Sequence, residues 1–218
     1  QTQRAYELFA FIVEEAGGRI PAGVCFHFEV AADLFDDRTQ QLLATAPPGL
    51  IQLEAGLQSF HKETLEAVTR RTDMERLHGN LRRLLEPGNI HVHIDLIAGL
   101  PYEDFDTFGQ SFDLAYALQP HMLQLGFLKL LHGSRLRRDA ALYGYRCGEE
   151  APYEIEESRW IGREDLKRLH GVEDALERLY NSGRFRLTLA YLLKVMACRP
   201  FSLFLGVSAY LADKVTQR

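Results

Sequence analysis

Ile90-His91-Val92-His93-Ile94-Asp95-Leu96-Ile97-Ala98-Gly99-Leu100-Pro101 is the stretch whose reading decides the fold. Successive side chains of a strand point to opposite faces, so His91, His93 and Asp95 share one face and Val92, Ile94 and Leu96 the other, before Gly99 and Pro101 turn the chain. The same two-faced pattern occurs twice upstream. In Cys25-Phe26-His27-Phe28-Glu29-Val30 the even positions are bulky and apolar, with His27 and Glu29 opposite them. From Leu50 to Gln58 the residues Gln52, Glu54, Gly56 and Gln58 share one face. A fourth strand is predicted from Met122 to Leu131.

Helical patterns separate these strands, at residues 4–16, 36–45, 62–70, 73–86 and about 103–118, the last opened by Glu103, Asp104 and Asp106. Strand and helix alternating through short connections yield a parallel sheet with right-handed crossovers. A doubly wound sheet buries both faces of its strands, which then read as nearly all apolar. One polar face per strand instead suits a barrel whose interior holds a ligand. Four strands are too few to close a barrel. The others are expected upstream, and the chain, with a helical pattern already running at Tyr6 to Val13, reads as part of something longer. From Ala140 the rhythm is lost: Tyr143 to Tyr153 is rich in Gly and Tyr, and helices are predicted at 163–180, 184–197 and 200–215. The predicted organisation is α/β, a partial parallel barrel of the TIM type over residues 1–139 followed by an α-helical region over 140–218.

At 218 residues, 46% hydrophobic and 25% charged, the composition is that of an ordinary globular protein able to bury a core. A net charge of -5 argues against a nucleic-acid partner, since phosphate binding shows as a basic excess. No stretch is long and apolar enough to span a bilayer; Phe201 to Leu211 is short and broken by Ser202, Gly206 and Ser208. No membrane partner and a cytoplasmic location are expected. Cys25, Cys147 and Cys198 lie far apart without a C-x-x-C pair, so buried thiols are expected rather than disulfides or a metal knuckle.

Ligands of parallel α/β proteins sit at the carboxyl ends of strands, which points to Glu29, Gln58 and Asp95, groups suited to sugar hydroxyls. Each alone reads equally well as a buried polar group satisfied by backbone. Three strands carrying the same feature favour a ligand site. His91, His93 and Asp95 also suit a divalent metal, so a metal-dependent barrel hydrolase using His91 and His93 is the alternative. Against it, no later strand end offers a further His with an Asp. His27 and His61 read as core or surface histidines.

Phe28-Glu29-Val30 with Asp33, Glu54-Ala55-Gly56-Leu57-Gln58-Ser59, Thr64-Leu65 with Arg70, and Asp95-Leu96-Ile97-Ala98-Gly99-Leu100-Pro101 resemble successive strands of the radical S-adenosylmethionine barrel. The resemblance covers about residues 20–136. It is nearest to the cobalamin-domain-associated enzymes, which include anaerobic Mg-protoporphyrin ester cyclases, and to the oxygen-independent coproporphyrinogen oxidase branch. Tyr180-Asn181-Ser182-Gly183-Arg184-Phe185 resembles the C-terminal extension of a cobalamin-associated subgroup. The resemblance implies S-adenosylmethionine and a [4Fe-4S] cluster as cofactors, with cobalamin open in the full-length protein. It implies contacts to S-adenosylmethionine from Glu29, to its ribose from Gln58 and Asp95, to its methionyl carboxylate from Arg70, and to adenine from the backbone at Gly99. The three-cysteine loop and the glycine-rich segment of the family are not in this chain, so the cluster ligands are expected outside it and the fragment alone is expected to be inactive. The full-length protein would then be an oxidoreductase or transferase that generates a 5'-deoxyadenosyl radical from S-adenosylmethionine and acts on a small-molecule or cofactor substrate. A non-catalytic domain that kept the fold is a further alternative. The resemblance assigns no catalytic residue. Unpaired strands near Phe26 and Phe127 would favour self-association.

Overall fold

Four strands hydrogen-bond side by side in the order in which the chain makes them, β1 (Phe26–Val30), β2 (Ile51–Gln58), β3 (His91–Ala98) and β4 (Met122–Phe127). A doubly wound sheet reverses its strand order at a switch point, and this one has no reversal. The computed structural model describes residues 2–216. β1 and β2 are parallel, in a register that sets Phe26 beside Ile51 and Glu29 beside Glu54. The chain divides into two compact units, one of residues 1–57, 72–95 and 118–122, the other of residues 58–71, 96–117 and 123–218.

In the first unit, the alternation read from sequence becomes alternating burial. Ile51, Leu53, Ala55 and Leu57 of β2, with Val92 and Ile94 of β3, are buried, while Gln52, Glu54 and His93 are half-buried and His27, Glu29 and His91 exposed. Each fully buried Leu or Ile contributes roughly 1.5–3 kcal/mol by leaving water. Helices α1 (Thr2–Glu14), α2 (Asp37–Ala44) and α4 (Met74–Leu85) carry the opposing apolar stripes. Phe9 of α1 meets Phe28 and Phe35 edge-on at 5.2 and 6.0 Å. Asp36 and Asp73 cap α2 and α4 by accepting the N–H groups of Thr39 and Arg76. Buried Asn80 donates to the carbonyls of Ala32 and Phe35 and accepts from Gln40, which satisfies the turn after β1.

The second unit holds α3 (Lys62–Ala67), α5 (Phe105–Ala117), β4 and everything that follows. β4 stops at Phe127, short of the predicted Leu131: Leu128 N–H still donates to Ala98 O of β3 at 3.0 Å, and past it the backbone pairs elsewhere. Leu130 N–H donates to Tyr153 O at 2.9 Å and Ile155 N–H to Leu128 O at 3.0 Å. Ahead of the predicted helices, the C-terminal region contains a small antiparallel pair, β5 (Arg146–Cys147) with β6 (Ile155–Glu157), after the short helices α6 (Arg135–Arg138) and α7 (Ala140–Tyr143). Strands of two and three residues leave no periodicity to read. Helix α8 (Arg163–Leu176) runs into a π-helical turn, Glu177–Asn181, which brings Asn181 to β4. The Asn181 side chain accepts Leu123 N–H at 3.1 Å and donates to Leu123 O at 3.0 Å, satisfying both backbone groups of that residue.

Helices α9 (Arg186–Met196) and α10 (Pro200–Thr216) complete the chain. Gly109 on α5 leaves room for Phe201, whose ring also meets Phe105 and Phe112 at 5.3 and 5.6 Å. Asp113 accepts Phe201 N–H at 2.7 Å and Arg199 Nε, fixing the start of α10. No single described helix is long and apolar enough to cross a membrane; α9 and α10 meet that test only together, across a 107° bend.

Candidate functional site

The polar face of the first unit is a continuous row rather than three isolated strand ends. His27 Nε2 lies 2.9 Å from Glu54 Oε2, and Gln52 Nε2 lies 2.9 Å from His93 Nε2. The rings of His91 and His93 are 4.9 Å apart, and His121 stands 5.0 Å from His91. Burial and neighbouring imidazoles pull the His91 and His93 pKa values below the usual histidine range. Among the described residues no group of three or more His, Cys, Asp and Glu side chains is arranged to hold a metal ion. The hydrolase alternative built on His91 and His93 therefore has no ligand set in these residues.

Glu29 is exposed and Asp95 buried, each on the same strand face as the histidines before it. The register pairs Glu29 with Glu54, four residues before Gln58. At about 3.3 Å per residue, Gln58 lies roughly 13 Å further along its strand than the neighbour of Glu29. By register Glu29 is level with Glu54 rather than with the end of β2. Glu54, placed on the polar face by its alternation with Gln52 but given no role there, stands next to Glu29 and is bonded to His27.

In the second unit, Gln58 closes β2 with φ +73, a conformation that non-glycine residues adopt rarely. Its Oε1 is buried with no hydrogen-bond partner. Strain and an unused acceptor at a strand end are features that accompany binding sites. Arg70 does not sit on a helix, contrary to expectation: α3 ends at Ala67, Thr69 takes φ +61, and Arg70 N–H returns to Leu65 O at 2.8 Å. The left-handed turn, not the helix, therefore aims Arg70, and Arg135 braces that turn by donating to Thr69 Oγ1 and Ala67 O. Arg70 is half-buried and forms no ion pair among the described residues.

Gly99 adopts φ +88, and a Cβ there would lie 2.2 Å from Ile155 Cδ1. Packing against β6 thus requires the glycine, whatever ligand reaches its backbone. Its carbonyl accepts the Tyr145 hydroxyl at 2.9 Å, and burial pushes the Tyr145 pKa up, keeping that donor protonated. Glu103, read from sequence as one of several acids opening α5, is buried instead. Its Oε1 accepts Ser59 Oγ at 2.6 Å and Ser111 Oγ at 2.9 Å. Asp104 is the residue that meets the start of α5, accepting Thr107 N–H at 2.8 Å.

The expectation of buried thiols fails: Cys25 is exposed, just before β1, and Cys147 and Cys198 are half-buried in β5 and beyond α9. Three cluster thiolates must lie within a few ångströms of one another, and these belong to separate elements, so the cysteines present do not fit a [4Fe-4S] cluster.

The fold is similar to part of two solved enzyme structures. The chain is similar to the radical S-adenosylmethionine methyltransferase TsrM from Kitasatospora setae, solved with cobalamin and a [4Fe-4S] cluster bound, at 18% identity and a TM-score of 0.51 over 68% of this chain and 31% of that one. It is also similar to coproporphyrinogen III oxidase (HemN) from Escherichia coli, a radical SAM enzyme, at 20% identity and a TM-score of 0.50 over 79% of this chain and 43% of that one. The chain thus spans less than half the length of either. Residues 141–218 match a family described as a protein of unknown function (DUF4080). No curated protein matches the chain.

Proposed function

We propose that this chain is part of a radical S-adenosylmethionine enzyme, an iron–sulfur oxidoreductase or transferase that generates a 5'-deoxyadenosyl radical in the whole protein. Residues 1–139 are then the second half of its barrel and residues 140–218 its C-terminal extension. In this reading Glu29, Gln58 and Asp95 bind S-adenosylmethionine through its polar groups, Arg70 pairs with the methionyl carboxylate, and the backbone at Gly99 meets adenine. Cysteines outside this chain hold the [4Fe-4S] cluster, whose chemistry is electron transfer to the sulfonium. The likeness to TsrM, solved with cobalamin bound, supports adding cobalamin to the cofactors to be tested on the whole protein, with a small molecule or another cofactor as substrate and the cytoplasm as location.

The observation that carries the reading is Gln58: a strained strand-end residue with a buried, unused acceptor, in a motif that resembles the ribose-binding strand of the family. The test is made on the whole protein, reconstituted anaerobically with iron and sulfide. Stoichiometric iron with release of 5'-deoxyadenosine is expected, and Arg70→Ala should weaken S-adenosylmethionine binding by about 2 kcal/mol, with Arg71→Ala as control. A cluster-loaded protein that neither binds nor cleaves S-adenosylmethionine would leave a non-catalytic barrel in place of the enzyme.

A further inference from the structure

Glu103 is 1% exposed, yet it belongs to the turn that follows β3 rather than to the core of a helix. Each of its two serine partners also accepts a backbone proton. His61 N–H donates to Ser59 Oγ at 2.9 Å, and Phe60 N–H donates to Ser111 Oγ at 3.1 Å. A hydroxyl has one proton, so a hydroxyl that accepts from an amide and donates once is fully oriented. Both chains run from backbone N–H through Oγ–H to the same carboxyl oxygen. That oxygen thereby holds residues 59–61, which directly follow Gln58, against the turn that begins at Gly99. Oε2, the other oxygen, is buried with no hydrogen-bond partner.

We propose that Glu103 is a positioning residue for the nucleotide, a buried carboxyl that locks the turn after β2 to the turn after β3 and so fixes Gln58 and the Gly99 backbone together. The inference rests on the reading that these two turns meet S-adenosylmethionine.

The geometry makes the lock sensitive to protons. Closing it buries a carboxyl with one unpartnered oxygen, which favours the neutral acid. Burial pushes the Glu103 pKa from 4.5 up to about 7, against the downward pull of the Ser59 and Ser111 hydrogen bonds, and adjacent Asp104 adds to the rise. The other titratable group on the network is His61, whose Nδ1 lies 3.0 Å from Thr64 Oγ1 and whose charge acts on Asp104. With a closed-state pKa above the open-state one, the closed lock is fully favoured below 4.5 and loses about tenfold per pH unit up to 7, beyond which it is level.

The test is deuterium exchange at the Phe60 and His61 amides, corrected for intrinsic pH dependence, alongside the pH profile of S-adenosylmethionine affinity by calorimetry, both on the whole protein. Between pH 5 and 7 the wild type should lose protection at both amides by about fortyfold, and affinity should fall with it. Glu103→Gln, which keeps an acceptor for both serines, should flatten both profiles, whereas Asp104→Asn and His61→Gln should retain them. Ser59→Ala should lose protection at His61 at every pH. A Glu103→Gln protein with the wild-type slopes, or slopes removed equally by Asp104→Asn, would overturn the assignment while leaving the family reading intact. Absence of binding by the wild type at every pH would overturn both.

Discussion

Gly99→Ala tests whether the turn after β3 is shaped by packing. The new methyl meets two separate costs. At φ +88 an L side chain is strained, on the order of 1–2 kcal/mol. Its Cβ would also sit 2.2 Å from Ile155 Cδ1 and 3.1 Å from Ile155 Cγ1, and forcing a well-packed neighbour aside costs about 1–3 kcal/mol. Together these predict a loss of roughly 2–5 kcal/mol. Ile155→Val removes the clashing Cδ1 and on its own costs roughly 0.5–1.5 kcal/mol. The two substitutions should therefore compensate, the double variant recovering on the order of 1–2 kcal/mol relative to additivity, while the backbone strain remains. Urea denaturation of the four proteins of the cycle measures this. Additive losses would show that Ile155 does not rest on Gly99, and the glycine would then have to be explained by an approaching ligand.

Asn181→Ala leaves Leu123 N–H and C=O, at a fully buried residue of β4, without partners and should cost at least about 2 kcal/mol in chemical denaturation; a loss under about 0.5 kcal/mol would remove Asn181 from its role. Asp113→Ala removes the group that accepts Phe201 N–H at the start of α10 and should cost about 1–2 kcal/mol, with faster amide exchange in the first turn of that helix as the specific readout. His91 and His93 have native pKa values below 6.5, so the unfolded chain binds more protons; their contribution is present above pH 6.5 and is lost as pH falls from there through the native values. Thermal melts should show this acid slope, and the His91→Gln, His93→Gln double variant should reduce it.

Strand positions were readable to within a residue for β1, β2 and β3 because alternation is a local property that burial then follows, as Val92, Ile94 and Leu96 against His91 and His93 demonstrate. The end of β4 is not readable, because Tyr153 and Ile155, which pair with Leu130 N–H and Leu128 O, are distant in sequence. Glu103 looked like a helix-opening acid because Asp104 and Asp106 beside it are exposed; its burial depends on Ser59 and Ser111, which only the folded chain brings to it. Nothing in the sequence marks Thr69 as left-handed, so the helical pattern reads on through Arg70. Asn181 lies in a segment whose resemblance was legible, whereas its task at Leu123 depends on a π-helical turn that no periodicity signals.

Residues 140–218 carry no chemical motif of their own, yet they act on the turn to which the resemblance assigns adenine. Ile155 fills the space beside the Gly99 Cα, and Tyr145 holds the Gly99 carbonyl. Glu103, four residues on, is anchored to α5 through Ser111, and α5 in turn is packed by Phe201 of α10. Three elements therefore fix one turn from three directions. A packed turn has few alternative arrangements, since each shift must move a buried side chain, a buried hydroxyl or a buried carboxyl. Substitutions in this C-terminal segment are therefore expected to alter the strand-end geometry without touching a bound nucleotide. That gives a physical reason for the segment to accompany a four-stranded sheet to which, among the described residues, it adds no strand.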